Sequence, residues 1–384
     1  MCTIDTSMNI YEEALRAHKK ARGKLAIVSK VPLKSRHDLS IYYSPGVAAV
    51  SERLAKHPSE TPLYTNTHNS VAVVSDGTSV LGLGNIGPEG ALPVMEGKAI
   101  LFKHYAGIDA IPIVLNTQDP DAIIETVVAI APSFGGINLE DIAAPQCFYI
   151  EDELKKRLSI PIMHDDQHGT AVVVLAGLIN ATRYVKKDLS ACKVVLVGAG
   201  AAGIAIAKLL TQYAQPTIVA VDSKGVITTS RSDLTPEKQM LAQLSKNDGS
   251  TSLEQAIKGS DIFIGVSRSG LLTEAMVRTM AENPIIFALA NPEPEILPTV
   301  AKAAGAAVVA TGRSDYPNQV NNVLAFPGLF RGALDTHSAI TDAHKMAAAE
   351  ALAALVTHPT ADAIIPSPFD RHVADNVAAV FKKR

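Results

Sequence analysis

The sequence predicts an α/β protein in two parts, the second of them a doubly wound parallel sheet. Three observations lead there. Short apolar runs alternate with stretches of helical spacing along the whole chain, and a glycine-rich turn at Gly198–Gly203 joins one such run to one such helix. The length, 384 residues, suits two cores better than one.

Composition narrows the function classes. Lys plus Arg number 35 against 38 Asp plus Glu, a net charge of -3 with no block of like charge. That argues against nucleic acid or a membrane surface as the main partner. The 47% apolar content is broken into runs shorter than the roughly 18 residues of a membrane span. The N-terminal stretch MCTIDTSMNIYEEALRAHKKARGKL has no apolar core like that of a signal peptide and reads as an amphipathic helix after a short lead. Cys2, Cys147 and Cys192 are too few and too scattered for a disulfide framework or a zinc site, which fits a reducing, cytoplasmic setting.

The first half then reads element by element. VAVVS (71–75) and SVLGLG (79–84) are apolar runs flanking the turn Asp76–Thr78. ALPVMEGKAILFKHYAG has helical spacing and a glycine stop at Gly107. DAIPIVLN is a buried strand, and DPDAIIETVVAIAP a helix with Asp119 as cap and Pro120 at its first position. GGINLED is a strand ending in the acidic pair Glu140-Asp141. A second pair, Asp165-Asp166 in MHDDQHGTA, leads into the helix GTAVVVLAGLINATRYVKK, which connects the halves. The boundary falls near Met163, giving parts 1–162 and 163–384.

Adjacent carboxylates repel, so two such pairs close together call for a counter-charge, and a divalent metal is one candidate. Each pair is also what a turn followed by a helix N-terminus would carry.

The second half opens with KVVLVGAGAAGIAIAKLL: an apolar strand, then Gly198-x-Gly200-x-x-Gly203, then a helix. The strand PTIVAVD follows and ends at Asp222, about 20 residues past the glycines, where a ribose-binding acid belongs. Gly198 permits the tight turn, Gly200 lets backbone approach a pyrophosphate, and Gly203 allows close packing of strand and helix. Further strands are DIFIGVS, PIIFALANP and AAVVATG. This is a Rossmann-type dinucleotide-binding domain.

Other stretches admit two readings each. Tyr43 in YYSPGVA is either a reactive phenol or a half-buried packing residue, and Ser44 can cap a helix with Pro45 in its first turn. Lys98 lies in an apolar helical stretch, where desolvation would lower its pKa toward a useful range, or its chain could snorkel. Asn291, Asn321 and Asn322 follow strand ends, as ligand-binding or turn-forming residues do.

Taken together, YYSPGVA, LGLGNIGPEGALPVMEGKAILFKHYAGIDA, INLEDI, MHDDQHGTA, VGAGAAG and ALANP…NNVLAFPG resemble, in this order, the malic enzymes of the short bacterial type. The resemblance runs from about Tyr11 to Phe381. It implies an N-terminal malic domain (1–162) and an NAD(P)-binding domain with C-terminal helices (163–384). It implies metal-dependent oxidative decarboxylation of L-malate to pyruvate and CO2, with Mg2+ or Mn2+, and a cytoplasmic homodimer whose contact the N-terminal helix could make. Longer bacterial members carry a further phosphotransacetylase-like domain, and the resemblance implies the short type without it.

By matching motif, Tyr43 resembles the general acid and Lys98 the general base. Glu140, Asp141 and Asp166 resemble metal ligands, with Asp165 behind them or helping the proton. Ser44, Asn291, Asn321 and Asn322 resemble residues on the malate side. The cofactor set is Gly198, Gly200, Ala201, Ala202, Gly203, Asp222, Ser223, Lys224, Lys238, Val266, Ser267 and Asn291. One departure stands out: larger eukaryotic members have an arginine where this chain has Ser79. Cofactor cues conflict, since Asp222 favours NAD while the run Asp222-Ser223-Lys224-Gly225 and Lys238 are similar to those of NADP-using members. The balance leans to NADP, with NAD used as well. A malolactic reaction yielding lactate, or a non-catalytic dinucleotide sensor, are the alternatives.

Overall fold

A computed structural model describes residues 10–80, 82–246 and 249–381. The chain begins with three helices, α1 (Ile10–Ala21), α2 (Arg36–Tyr42) and α3 (Val47–Lys56), and a single turn, α4 (Thr61–Tyr64). The lead before α1 lies outside the described residues. Ser35 caps α2, donating and receiving through a capping box with Asp38, but α3 starts at Gly46 with no side-chain cap. Ser44 therefore does not cap a helix, as its position before Pro45 suggested. It sits in the turn between α2 and α3, where the Ser44-Pro45 bond is cis.

A four-stranded parallel sheet follows, in the order β2-β1-β3-β4. It is built from β1 (Ser70–Ser75), α5 (Gly87–Ala106), β2 (Asp109–Val114), α6 (Pro120–Ile130), β3 (Gly136–Leu139), α7 (Gln146–Arg157) and β4 (Ile162–His164). β1 is buried along its whole length, as the run VAVVS requires of a central strand. β2 is an edge strand and not the buried one expected: Ile111 is exposed, and Pro112, which has no N–H to give the ladder, is tolerated there. The apolar run from Ser79 to Gly84 turns back on itself. Val80 bridges Gly84 in a tight turn, with Leu81 outside the described residues. Gly107 ends α5 with φ 67°, and the Asp119 side chain accepts from the Asp121 N–H to cap α6. β4 hydrogen-bonds to β3, so the sheet runs on to His164, past the division read at residue 162.

The long helix α8 (Asp165–Val185) starts directly after β4 and lies almost wholly inside the molecule. Beyond it come β5 (Lys193–Val197), α9 (Ala201–Tyr213), β6 (Thr217–Asp222), β7 (Gly225–Val226) and α10 (Pro236–Leu244). Then follow α11 (Leu253–Ala256), β8 (Ile262–Gly265), α12 (Glu274–Val277), β9 (Ile285–Ala288), α13 (Pro298–Ala303) and β10 (Val308–Thr311). These strands form one sheet in the order β10-β9-β8-β5-β6-β7, parallel except for β7. The order reverses at β5, and the crevice at such a switch point is where open α/β sheets bind ligands.

The last helices, α14 (Phe326–Thr336), α15 (Asp342–Ala354) and α16 (Val373–Ala379), pack back on the rest. Phe326 and Phe330 of α14 meet Phe102 of α5 edge-on at 4.7 and 5.4 Å. The second region thus returns to hold α5, the helix that carries Lys98. Cys147 and Cys192 are buried free thiols. Among the described residues no helix is long and apolar enough to cross a membrane.

Candidate active site

Four acids converge on one lysine at the carboxyl edge of the first sheet. β3 ends at Leu139 and delivers Glu140 and Asp141, while Asp165 and Asp166 form the first turn of α8, where the helix dipole favours them. Asp141 has φ 53°, a left-handed backbone that Asp tolerates better than most residues. Its N–H donates to Asp166 Oδ2 at 2.8 Å, and its carbonyl accepts from the Ser79 N–H at 2.9 Å. Lys98 rises from the middle of α5 with only 6% exposure; its Nζ lies 2.7 Å from Glu140 Oε1 and 2.5 Å from Asp165 Oδ2. Nζ also stands 4.2 Å from the centre of the Phe326 ring.

The electrostatics follow from three buried carboxylates, a fourth, Asp166, that is partly exposed, and one buried ammonium. Burial, reinforced by the neighbouring acids, raises the Glu140 carboxyl well above its ordinary range despite the opposing Lys98. The same causes push Asp141 up to about 7 and, held back by Lys98, Asp165 up to about 6. Asp166 goes the other way: burial would raise it, but the His164 ring, Lys98 and the Asp141 N–H together lower it. Lys98 corrects an expectation. Burial does act to lower its pKa, but Asp165, Glu140 and Asp166 outweigh burial and raise it, so it is held as an ammonium.

Whether these residues fit a metal can be judged from their own atoms. Among the described residues no three His, Cys, Asp or Glu side chains already converge as a ligand set. The donor chemistry nevertheless fits a hard divalent cation. Asp141 Oδ2 and Asp165 Oδ1 are buried without any partner, and the acids exceed the one ammonium among them.

Behind the acids lies a buried network that the sequence did not single out. Glu151 of α7 accepts from the His164 N–H at 2.9 Å, from His168 Nε2 at 2.9 Å and from Lys155 Nζ at 2.8 Å. Gln167 Nε2 donates to His164 Nδ1 at 3.0 Å, which leaves His164 Nε2 to carry its hydrogen toward Asp166 Oδ2, 3.3 Å away. The signal was present in MHDDQHGTA, whose two histidines and glutamine bracket the acids. On the other side, the Thr78 hydroxyl donates to Asp76 and accepts from the Ala143 N–H, tying the Asp76–Thr78 turn to the loop after Asp141. Glu151→Ala should cost about 2–3 kcal/mol of stability, read from the urea midpoint, because it strands several buried donors at once.

One cavity of about 790 Å³ joins the acids to the nucleotide domain. Its wall includes Lys98, Glu140, Asp141 and Asp166 on one side and Ala202, Val266, Ser267 and Asn291 on the other, with Asn321, Asn322 and Ser79 between. Asn321 already spends its Oδ1 on the Val323 N–H. At the glycine turn, Gly198 has φ 116°, and a Cβ there would stand 2.5 Å from the Val266 carbonyl. A Cβ on Gly203 would stand 1.9 Å from the Gly198 carbonyl, whereas at Gly200 it would meet open space. Ala201 is the first residue of α9.

Asp222, Ser223, Lys224 and Lys238 cluster at the far end of β6, outside that cavity. Asp222 is not free to turn toward solvent. Arg231 grips both its oxygens at 2.8 and 3.2 Å, Lys238 Nζ lies at 2.7 Å, and the Lys224 N–H at 2.9 Å. These partners outweigh burial and hold its carboxyl down at about 2. Lys224 Nζ is turned to Asp233 instead, at 2.7 Å, and Ser223 is exposed in the turn before β7. Arg231 went unnoticed because nothing in its neighbours marks it; only folding brings it onto Asp222.

Tyr43 and Ser44 are not brought in. Tyr43 is 67% exposed, and neither residue is part of the cavity wall.

Comparison with known proteins bears on this arrangement. The family model for the malic enzyme N-terminal domain matches residues 22–155, and that for the malic enzyme NAD-binding domain matches 167–382. A bifunctional malic/malolactic enzyme of Bacillus subtilis is 55% identical over 98% of this chain and 93% of its own length. An NADP-dependent malic enzyme of Escherichia coli is 47% identical over 94% of this chain, which spans 50% of that longer protein. The crystal structure of an NAD-dependent malic enzyme from Thermotoga maritima superposes with a TM-score of 0.93 at 48% identity, covering 96% of this chain and 98% of that one.

Proposed function

Because the chain belongs to the malic enzyme family, we propose that it oxidatively decarboxylates L-malate to pyruvate and CO2, reducing NAD or NADP with the help of a divalent metal. The observation that carries this reading is the single cavity in which Lys98 and three carboxylates share a wall with the strand ends of the nucleotide domain.

Glu140, Asp141 and Asp166 would hold Mg2+ or Mn2+, which supplies Lewis-acid polarisation of the malate C2 oxygen and of the charge left when CO2 departs. The bound nicotinamide supplies the hydride acceptor. Lys98 takes the proton from the C2 hydroxyl. For that it must first be neutral, and a cation held by the acids that now raise its pKa would lower it in their place. The motif assigns to Tyr43 the return of a proton to carbon at ketonisation, although Tyr43 stands outside the cavity in this chain. The side-chain amides of Asn291 and Asn322 offer N–H donors to the malate carboxylates, with Asn321 beside them, in place of the arginine that Ser79 replaces. The deciding experiment is malate-dependent reduction of NAD and NADP in parallel, with and without Mn2+, with product analysis. Pyruvate and reduced cofactor support the reading; neither product nor reduction leaves a dinucleotide-binding protein without this chemistry.

The name of the Bacillus subtilis relative favours a second activity on the same site, conversion of malate to lactate without net reduction. Lactate formed in stoichiometric excess over reduced cofactor would reveal it.

For cofactor choice, NADP is favoured, with NAD also used. The acid that would repel a 2′-phosphate is already compensated: Arg231, Lys238 and Lys224 face Asp222 and Asp233, three cations against two acids. A charge-assisted contact contributes about 1.5–3 kcal/mol. Arg231→Ala or Lys238→Ala should therefore raise KM for NADP about tenfold or more and scarcely touch NAD. A wide preference for NAD that ignores both substitutions would show that Asp222 decides.

A further inference from the structure

Two loops of the nucleotide domain form its side of the cavity. β8 ends at Gly265 and runs on into Val266 and Ser267, while β9 ends at Ala288 and runs on through Leu289 and Ala290 to Asn291. Up to the strand ends the ladder fixes the spacing: Gly265 pairs with Ala288, and the Leu289 N–H donates to the Gly265 carbonyl at 2.9 Å. Past that point a single side chain reaches both loops. Glu295 is fully buried, and it accepts the Ser267 N–H on Oε1 at 3.0 Å and the Ala290 N–H on Oε2 at 3.1 Å. Its own carbonyl accepts the Leu272 N–H at 3.1 Å, which anchors the segment that carries it. A Cβ on Gly265 would stand 2.4 Å from the Glu295 carboxyl carbon, so only glycine lets the carboxylate lie against the strand end.

The residue type is informative. Burial raises the Glu295 pKa, and backbone N–H groups are what oppose burial, so a charge is kept here at a cost that an apolar side chain would not carry. An amide of the same shape would not serve either. Glutamine accepts on one terminal atom and donates from the other, whereas a carboxylate accepts on both. Two converging N–H groups on two different loops call for the carboxylate. Glu295 is no part of the cavity wall and touches neither substrate nor cofactor.

We propose that Glu295 is a positioning residue for hydride transfer: it sets the separation of the Ser267 loop from the Ala290-Asn291 loop, and with it the approach of malate C2 to the nicotinamide. The proposal rests on the reading of this cavity as the malate and nicotinamide site. Reacting atoms must come within about 3–3.5 Å, and a misplacement of about 1 Å costs about 10²-fold. A loop released from its acceptor needs to move no further than that.

Glu295→Gln keeps size and shape and leaves one of the two N–H groups without an acceptor. It should lower kcat for malate oxidation by about 10²-fold. With malate deuterated at C2, the isotope effect on kcat should rise above that of the wild-type protein, because hydride transfer becomes the slow step. A merely structural role would lower the unfolding midpoint and leave the isotope effect of the folded protein where it was. Gly265→Ala tests the same contact from the strand side, since the added Cβ displaces the carboxylate without removing it, and the isotope effect should rise again. If Glu295→Gln does not fold, Gly265→Ala carries the test on the same terms; if neither folds, Glu295 serves folding and the proposal is overturned. A folded variant whose isotope effect stays at the wild-type value, whatever its kcat, overturns the proposal and leaves the functional reading intact. A wild-type protein that oxidises no malate ends that reading and the proposal with it.

Discussion

Asp166→Asn should reduce malate turnover by about 10³-fold or more while leaving nucleotide affinity little changed. Losing one outlying hydrogen-bond partner of a metal site costs about 10–100-fold, and Asp166 is placed to do more than that. Its Oδ2 accepts the Asp141 N–H and faces His164, so one carboxylate fixes the turn carrying two other acids and contributes charge of its own. The amide keeps an acceptor oxygen but removes the charge, and hard cations bind charge first. Calorimetry with Mn2+ should show the same loss in the absence of malate. Chelation and dialysis of the wild-type protein should stop turnover, and Mn2+ or Mg2+ should restore it. Undiminished turnover in excess EDTA would remove the metal from the reaction.

The parts of this site that could be read from sequence are those set by local chemistry. The strand, glycine turn, helix and acid from Lys193 to Asp222 follow from apolar runs and from backbone that only glycine fits, and the structure places each there. The two acidic pairs posed a question of counter-charge that was correctly located but only partly answered. Lys98 is the counter-charge present, and it lies 67 positions from Asp165, a pairing no local pattern encodes. The expected fall in its pKa failed for the same reason: burial was visible in the apolar helix, the surrounding carboxylates were not. SVLGLG was legible only as an apolar run beside a turn, and Gly82 and Gly84, with φ 74° and 77°, turn the chain there. β2 was read as buried because its residues are apolar, although Pro112 marked it as an edge. Arg231, Glu151 and His164 act through folded neighbours only.

Lys98→Met should lower kcat for malate oxidation by about 10²–10⁴-fold, as loss of a general base does, with cofactor affinity nearly intact. The structure adds a second consequence on stability. Lys98 Nζ is the partner of Glu140 Oε1 and Asp165 Oδ2, both in a site where the acids have almost no contact with water. Removing one partner of a buried ion pair costs about 3–5 kcal/mol, and here it strands two carboxylates. Those groups meet part of the cost by taking up protons, so the metal-free variant should be less stable than wild type by less than that sum. Mn2+ offers the stranded acids a new counter-charge. It should therefore raise the unfolding midpoint of Lys98→Met more than that of the wild-type protein, whose ammonium repels the incoming cation. A variant that keeps turnover within a few-fold would end the base assignment. A variant that Mn2+ stabilises no more than wild type would show instead that Lys98 and the cation do not share these acids.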